Sequence, residues 1–399
     1  MSEQVKKKDK KIKVCAITTI SKTMDWFVVD SMRNLYNHGF EISLMCDMDD
    51  EFVRRNQDFA KCYPIKMDRG IDPIGAIKAI WSMYKILKKE KYDVIQFTSP
   101  NASLYASFAG KLAGVKHRIY NQCGLRYVSF EGKKRKIFKM LETLTCYLAT
   151  SVRAQSPKNM QYAIEEKLCP ANKISVIGIG GTIGADLAEY DISKKQKYRE
   201  EIREKKGIQN EFLFGYVGRI NVDKGINELL SAFQELVSNY SEVKLMLVGM
   251  EDATNPIEQE LMKWAKESDS VVFTGNVPKE DVCKYMASFD ILVHPTYREG
   301  FGKVLQEAMA MAVPIITTDV PGPSEVVEDN VSGRLVQVKN VKALRTEMEA
   351  LMLDKERMNQ YSMNGRRRAE KYFDRKVMLN NILLDYIKEL KLTAKDYLS

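Results

Sequence analysis

The stretch at residues 290–311 restricts what this chain can fold into more than any other. Asp290-Ile-Leu-Val293 is a short apolar run, the pattern of a buried parallel strand. After the polar, glycine-containing His294-Pro-Thr-Tyr-Arg-Glu-Gly-Phe-Gly302, the apolar Val304, Leu305, Ala308, Met309 and Met311 recur at helical spacing up to Pro314. Strand, tight turn and helix make one step of an open α/β sheet. In such sheets ligands settle outside the carboxyl ends of the strands, where a helix N-terminus attracts phosphate. Gly300 and Gly302 bracket Phe301 and let the backbone come close to a ligand.

The same step repeats along the chain. Residues 12–18 read as a first strand, 24–37 as a helix stopped at Gly39, and 40–46 as the next strand. Strand patterns recur at 93–98, 115–121 and 174–177, with helical patterns at 73–89, 104–112 and 130–148. A second series of strands runs through 212–217, 243–248, 271–274, 290–293 and 314–318, with helices at 226–237 and 279–288 between them. A length of 399 residues suits two domains. The expected fold is α/β: two doubly wound, Rossmann-like domains with a cleft between them and a C-terminal helical tail. Residues 1–184 form the first domain, 185–371 the second, and 372–399 a helix packing back toward the first. Gly178-Ile-Gly-Gly-Thr-Ile-Gly184 reads as a hinge rather than a phosphate loop, because no helical pattern opens directly after it.

Several chemistries are disfavoured. Seven dispersed cysteines without a Cys-x-x-Cys pair argue for reduced thiols, and three histidines are few for a metal centre. Asp47-Met-Asp49 has the spacing of a metal-holding pair but reads as turn chemistry at a strand end. The turn after the first strand, Thr19-Ile-Ser-Lys-Thr23, has no glycine, so a nicotinamide fingerprint is missing where it should stand. No apolar run reaches the roughly 18 residues of a membrane span. The basic run at residues 6–11 leads straight into a strand pattern without a signal-peptide core, so the expected location is the cytoplasm, at the inner face of the membrane. A net charge of +9 suits a nucleotide diphosphate, an anionic membrane surface or nucleic acid alike. The basic and apolar helix at 130–148 reads equally as a membrane-interface helix and as a core helix with a solvated end.

The functional pattern lies in the second series. Arg219 and Lys224 sit in Gly218-Arg-Ile-Asn-Val-Asp-Lys-Gly225, a turn that the strand–turn–helix order puts at the same sheet edge as Glu299. A guanidinium fork and an ammonium point charge are suited to holding a diphosphate and to stabilising the charge it gains on leaving. Glu299 in the turn and Glu307 in the second helical turn add carboxylates that can accept hydrogen bonds from sugar or ribose hydroxyls. Taken singly, that pair is as well explained by a turn residue and a helix-face residue.

These segments, with Gly275-Asn-Val and Pro314-Ile-Ile-Thr-Thr-Asp-Val, resemble the retaining family-4 glycosyltransferases of the GT-B fold. The registers at 93–100, 120–127 and 178–186 resemble that family too, and the likeness is nearest to bacterial capsule and exopolysaccharide glycosyltransferases. The resemblance implies transfer of a sugar from a nucleotide-sugar, with uridine as the base, to a lipid-linked or polysaccharide acceptor, with no metal or other cofactor. It implies that Glu299 contacts the donor sugar and Glu307 the ribose, while Arg219 and Lys224 hold the phosphates. Gly218, Phe301, Gly302, Lys303 and Val304 would line the donor, and Glu299, Arg219 and Lys224 are the catalytic candidates. Where many relatives carry histidines in the first domain, this chain has Gln96, Thr98 and Cys123 before Gly124, and Gln96, Cys123 and Gly124 become the acceptor-side candidates. A nucleotide-sugar epimerase on the same scaffold is the neighbouring alternative, and a phosphorylase lacks a motif for a pyridoxal-bearing lysine. A basic nucleic-acid-binding protein would interleave aromatic and basic residues on one face, a pattern not found here, so no nucleic-acid partner is expected.

Overall fold

The structure is a computed structural model that describes residues 11–67, 72–393 and 397. The basic run at 6–10 lies outside the described residues. The chain divides into two compact units, one of residues 1–183 with 379–399 and one of residues 184–378.

The first unit is built on seven strands: β1 (Lys13–Ile20), β2 (Glu41–Asp47), β3 (Ala60–Pro64), β4 (Val94–Phe97), β5 (His117–Gln122), β6 (Ser151–Ala154) and β7 (Ile174–Val176). They pair in parallel in the order β3-β2-β1-β4-β5-β6-β7. Helices on both faces explain why Val14 to Ile17 and Val94 to Phe97 are apolar or buried without alternation. The expected helix at 24–37 is two helices, Ser21–Phe27 and Val29–Asn37, separated by Val28 at φ −129°. Met24, Val28, Met32 and Leu35 are all buried. Two short strands escaped the pattern reading, β3 and β6, because Lys61 and Arg153 interrupt their apolar runs. Asp49 of the Asp-x-Asp accepts a hydrogen bond from the Phe52 amide at 2.8 Å and caps the Asp50–Asn56 helix, the turn chemistry expected of it. The turn after β1, lacking glycine, closes instead through Ser99, whose Oγ accepts from the Thr19 amide at 3.0 Å.

Part of the C-terminal helix Arg375–Glu389 completes this unit. Arg153, nearly buried on β6, pairs with Asp385 and with Glu389 at 2.8 Å each, and Tyr386 donates to Gln96 Oε1 at 2.6 Å. Burial pushes the Asp385 carboxyl up, and the Arg153 charge opposes that rise.

The second unit repeats the topology with six parallel strands: β8 (Phe212–Val217), β9 (Val243–Val248), β10 (Val271–Gly275), β11 (Ile291–His294), β12 (Ile315–Thr318) and β13 (Arg334–Val336). Their order is β10-β9-β8-β11-β12-β13, so strand order reverses between β8 and β11. Asp290 fixes this junction. It takes Arg199 and Arg203 at 2.7 Å each and the Leu213 amide of β8 at 2.8 Å. Toward the C-terminus follow the Lys355–Arg368 helix, a π turn at Ala369–Phe373, and the Arg375–Glu389 helix.

Candidate active site

The reversal between β8 and β11 is where an open α/β sheet leaves a crevice, and the turns leaving these strands carry the predicted residues. The β8 turn holds a single 3-10 turn, Val222–Lys224, capped by Asn221, whose side chain accepts from the Lys224 amide at 3.1 Å. The β11 turn lies directly against it. Tyr297 donates its amide to the Asp223 carbonyl at 2.9 Å, and Arg298 pairs with the Asp223 carboxylate at 2.7 Å. Gly225 has φ +70°, and a Cβ there would stand 2.0 Å from the Pro295 carbonyl oxygen. Only glycine lets the two turns touch backbone to backbone.

Their contact brings Lys224 onto Glu299, the ammonium donating to Oε2. Burial would raise the Glu299 carboxyl, but the Lys224 charge and His294 outweigh it, and the group is held well below the usual carboxylate range. His294 ends β11 and is buried, its Nε2 3.7 Å from Glu299 Oε2. Neither of its ring nitrogens has a hydrogen-bond partner among the described residues. Burial lowers its pKa while Glu299 opposes the shift, so the ring is neutral at pH 7. Tyr216 of β8 stacks on it at 5.5 Å and 11°. The Tyr216 hydroxyl donates to the Arg219 carbonyl at 2.7 Å, fixing the start of the β8 turn.

Arg219 reaches outward, its side chain 67% exposed, and pairs with Asp252 at 2.8 Å. Hydrogen bonds from Thr254 and Asn221 hold Asp252 at about 2, so it is ionised throughout the physiological range. Gly218 lies beside Arg219 at the carboxyl end of β8. On the other turn, Gly302 caps the Lys303–Ala310 helix at φ +82°. Within that helix Lys303 and Glu307 pair at 3.1 Å, and Val304 is half-buried. One expectation needs correcting: the Phe301 ring is 3% exposed and stands edge-on to Phe373 at 5.8 Å. It anchors the turn in the core.

The acceptor-side candidates belong to the first unit. Gln96 and Cys123 line a small cavity of about 50 Å³ with Thr98, Asn121, Arg153 and Gln155, at the carboxyl ends of β4 to β6. Thr98 Oγ1 donates to Cys123 Sγ at 3.0 Å, and the Gln96 carbonyl oxygen is already taken by Tyr386. Gly124 follows at φ +114°. Among the described residues no group of three or more His, Cys, Asp or Glu side chains is arranged to hold a metal ion.

The pattern reading left His294, Tyr216 and Asp252 without a role. His294 could have been noticed, as a histidine at the last position of an apolar strand beside a candidate glutamate. Asp252 lies 33 residues from Arg219, and nothing in local spacing signals it.

Two doubly wound units, with a cation–carboxylate pair at the switch point of the second, have the architecture of the GT-B fold. Sequence comparison gives the family: residues 13–156 match Glycosyl transferase 4-like and residues 198–368 match Glycosyl transferases group 1, and the chain belongs to these glycosyltransferases. It is 28% identical over 380 residues to the capsular polysaccharide biosynthesis glycosyltransferase CapM of Staphylococcus aureus, covering 94% of this chain and 98% of that protein. It is 25% identical over 315 residues to the UDP-Gal:alpha-D-GlcNAc-diphosphoundecaprenol alpha-1,3-galactosyltransferase of Escherichia coli, covering 77% and 79%. The fold is shared with HepE of Anabaena in complex with UDP, at TM-score 0.75 and 19% identity, over 95% of this chain and 100% of that one.

Proposed function

We propose that this glycosyltransferase moves a hexose from a UDP-sugar to a lipid-linked or polysaccharide acceptor in cell-surface polysaccharide biosynthesis, with retention at the anomeric carbon. The observation that carries the reading is the Lys224–Glu299 pair at the β8/β11 switch point. Its donor and acceptor are supported by the two relatives named for capsule synthesis and for a diphosphoundecaprenol-linked acceptor.

In this reading the diphosphate draws the Lys224 ammonium and the Arg219 guanidinium to itself, and both stabilise the charge that develops as the phosphate leaves. Glu299 then orients the sugar hydroxyls and Glu307 the ribose. The departing phosphate oxygen takes the acceptor's proton on the same face, so no enzyme nucleophile is required. Because two side-chain cations face the diphosphate, the reaction as proposed proceeds without a metal. The acceptor enters the first unit near Gln96, Cys123 and Gly124, and the basic Gly132–Leu148 helix keeps the chain at the inner membrane face.

Incubating the purified chain with a panel of nucleotide-sugars, and reading thermal shift and released nucleotide, identifies the donor. Glu299→Ala and Arg219→Ala are expected to lower turnover by about 100-fold or more, the size of a lost transition-state contact. Full activity in both variants would remove the basis of the reading, and an epimerised sugar without acceptor would replace it with an epimerase.

A further inference from the structure

We infer that the first unit docks on an anionic lipid surface through the outer faces of its Pro73–Glu90 and Gly132–Leu148 helices, with Ile74, Ile77 and Trp81 as the inserted residues. This deepens the membrane reading above, which rested on the second helix alone. Ile74, Ile77 and Trp81 are 68%, 69% and 55% exposed. Their spacing puts them on one stripe of the Pro73–Glu90 helix, which the exposed Lys85 and Lys88 continue. Scattered exposed isoleucines need no explanation, but three large apolar residues in line, one a tryptophan, do. On the Gly132–Leu148 helix, Ile137 and Met140 are 53% and 61% exposed, among the exposed Lys133, Lys134 and Lys136.

Both helices pack against the Pro100–Ala113 helix between them, so the three form one layer on one face of the sheet. Each runs back from the carboxyl edge of the strands, so their first turns stand at the edge where Gln96, Thr98 and Cys123 sit. A chain seated this way meets a lipid-borne acceptor at the rim of its own cavity.

Charge selects the occupant. The sequences of the two helices hold one acid each. Glu90 ends the first helix near Lys61 at 3.7 Å, and Glu142 turns inward to Tyr120 at 2.9 Å and Gln122 at 2.8 Å. Apart from the N-terminal Asp72 and Glu131, the described outer faces of the two helices are apolar and basic. A second copy would set lysine against lysine, whereas an anionic bilayer accepts the lysines at its headgroups and the indole at its interface.

The test uses the full chain carrying Trp26→Phe and Trp264→Phe, so that Trp81 is its one remaining tryptophan. Emission is read with vesicles of phosphatidylcholine alone, and with vesicles that also contain phosphatidylglycerol or its brominated form. The expected result is a blue shift and bromine quenching on the anionic vesicles only. Lys133→Gln/Lys134→Gln/Lys136→Gln should weaken co-sedimentation roughly 100-fold, at about fivefold per lysine. Ile74→Ser/Ile77→Ser should weaken co-sedimentation while leaving the unfolding midpoint and nucleotide release in vesicle-free buffer unchanged. Three results overturn the inference: an unshifted Trp81, equal binding to neutral vesicles, or burial of Trp81 by self-association without lipid. Donor turnover with no vesicle binding sinks this inference alone, and vesicle binding with no donor turnover sinks the transferase chemistry alone.

Discussion

Replacing Lys224 by methionine keeps most of the side-chain volume and removes the charge that ionises Glu299. The pair is mostly shielded, with side chains 16% and 25% exposed. At an effective dielectric constant near 20, a contact ion pair is worth about 4 kcal/mol, and partial exposure reduces the net loss to roughly 2–3 kcal/mol. In a unit of residues 184–378, that corresponds to a melting point lower by roughly 5–10 °C. The pH dependence is the sharper test. In the parent chain Glu299 is held below its unfolded value, so its contribution is full above the unfolded pKa and is lost as pH falls through the folded one. In Lys224→Met the burial that raises the carboxyl remains, with neutral His294 and the Gly300 amide at 3.3 Å beside it, so the folded pKa rises above the unfolded value of about 4.3. The carboxylate then costs stability at neutral pH and is relieved as it protonates. Urea unfolding from pH 8 down to about pH 4.5 should therefore show a gap between parent and variant that is largest at neutral pH and narrows on acidification. Glu299→Gln/Lys224→Met should recover part of the loss, because no charge is left unpaired. A gap independent of pH, with additive losses in the double variant, would refute the reasoning.

Three further substitutions test the framework. Gly225→Ala places a Cβ 2.0 Å from the Pro295 carbonyl at φ +70°, and it should cost about 3 kcal/mol or more and abolish nucleotide release. Gly207→Ala, at φ +64° with nothing within 4 Å, should cost only about 1–2 kcal/mol in urea and leave turnover intact; equal effects of the two would mean that the turns do not depend on close contact. Tyr386→Phe leaves Gln96 Oε1 without the donor it has at 2.6 Å, and chemical unfolding should register a loss of about 1–3 kcal/mol. An unchanged midpoint would place that hydroxyl outside the core network.

The sequence by itself determined the kind of fold, because short apolar runs such as Ile291-Leu-Val293, alternating along the chain with helical patterns, read as parallel strands covered on both faces. It also singled out the two turns that the structure brings into contact, since Arg219, Lys224 and Glu299 are residue types suited to phosphate and hydroxyls. Local spacing failed at β3, β6 and β13, where Lys61, Arg153 and Arg334 break the apolar pattern and pairing with a neighbouring strand supplies what propensity lacks. It failed again at Phe301, whose exposure depends on Phe373, 72 residues further along. Strand order was for the tertiary structure to decide, and with it the site. Only when β8 and β11 lie side by side does Lys224 reach a glutamate 75 residues away, with buried His294 beside it, and only there can burial and a neighbouring charge set how that glutamate ionises.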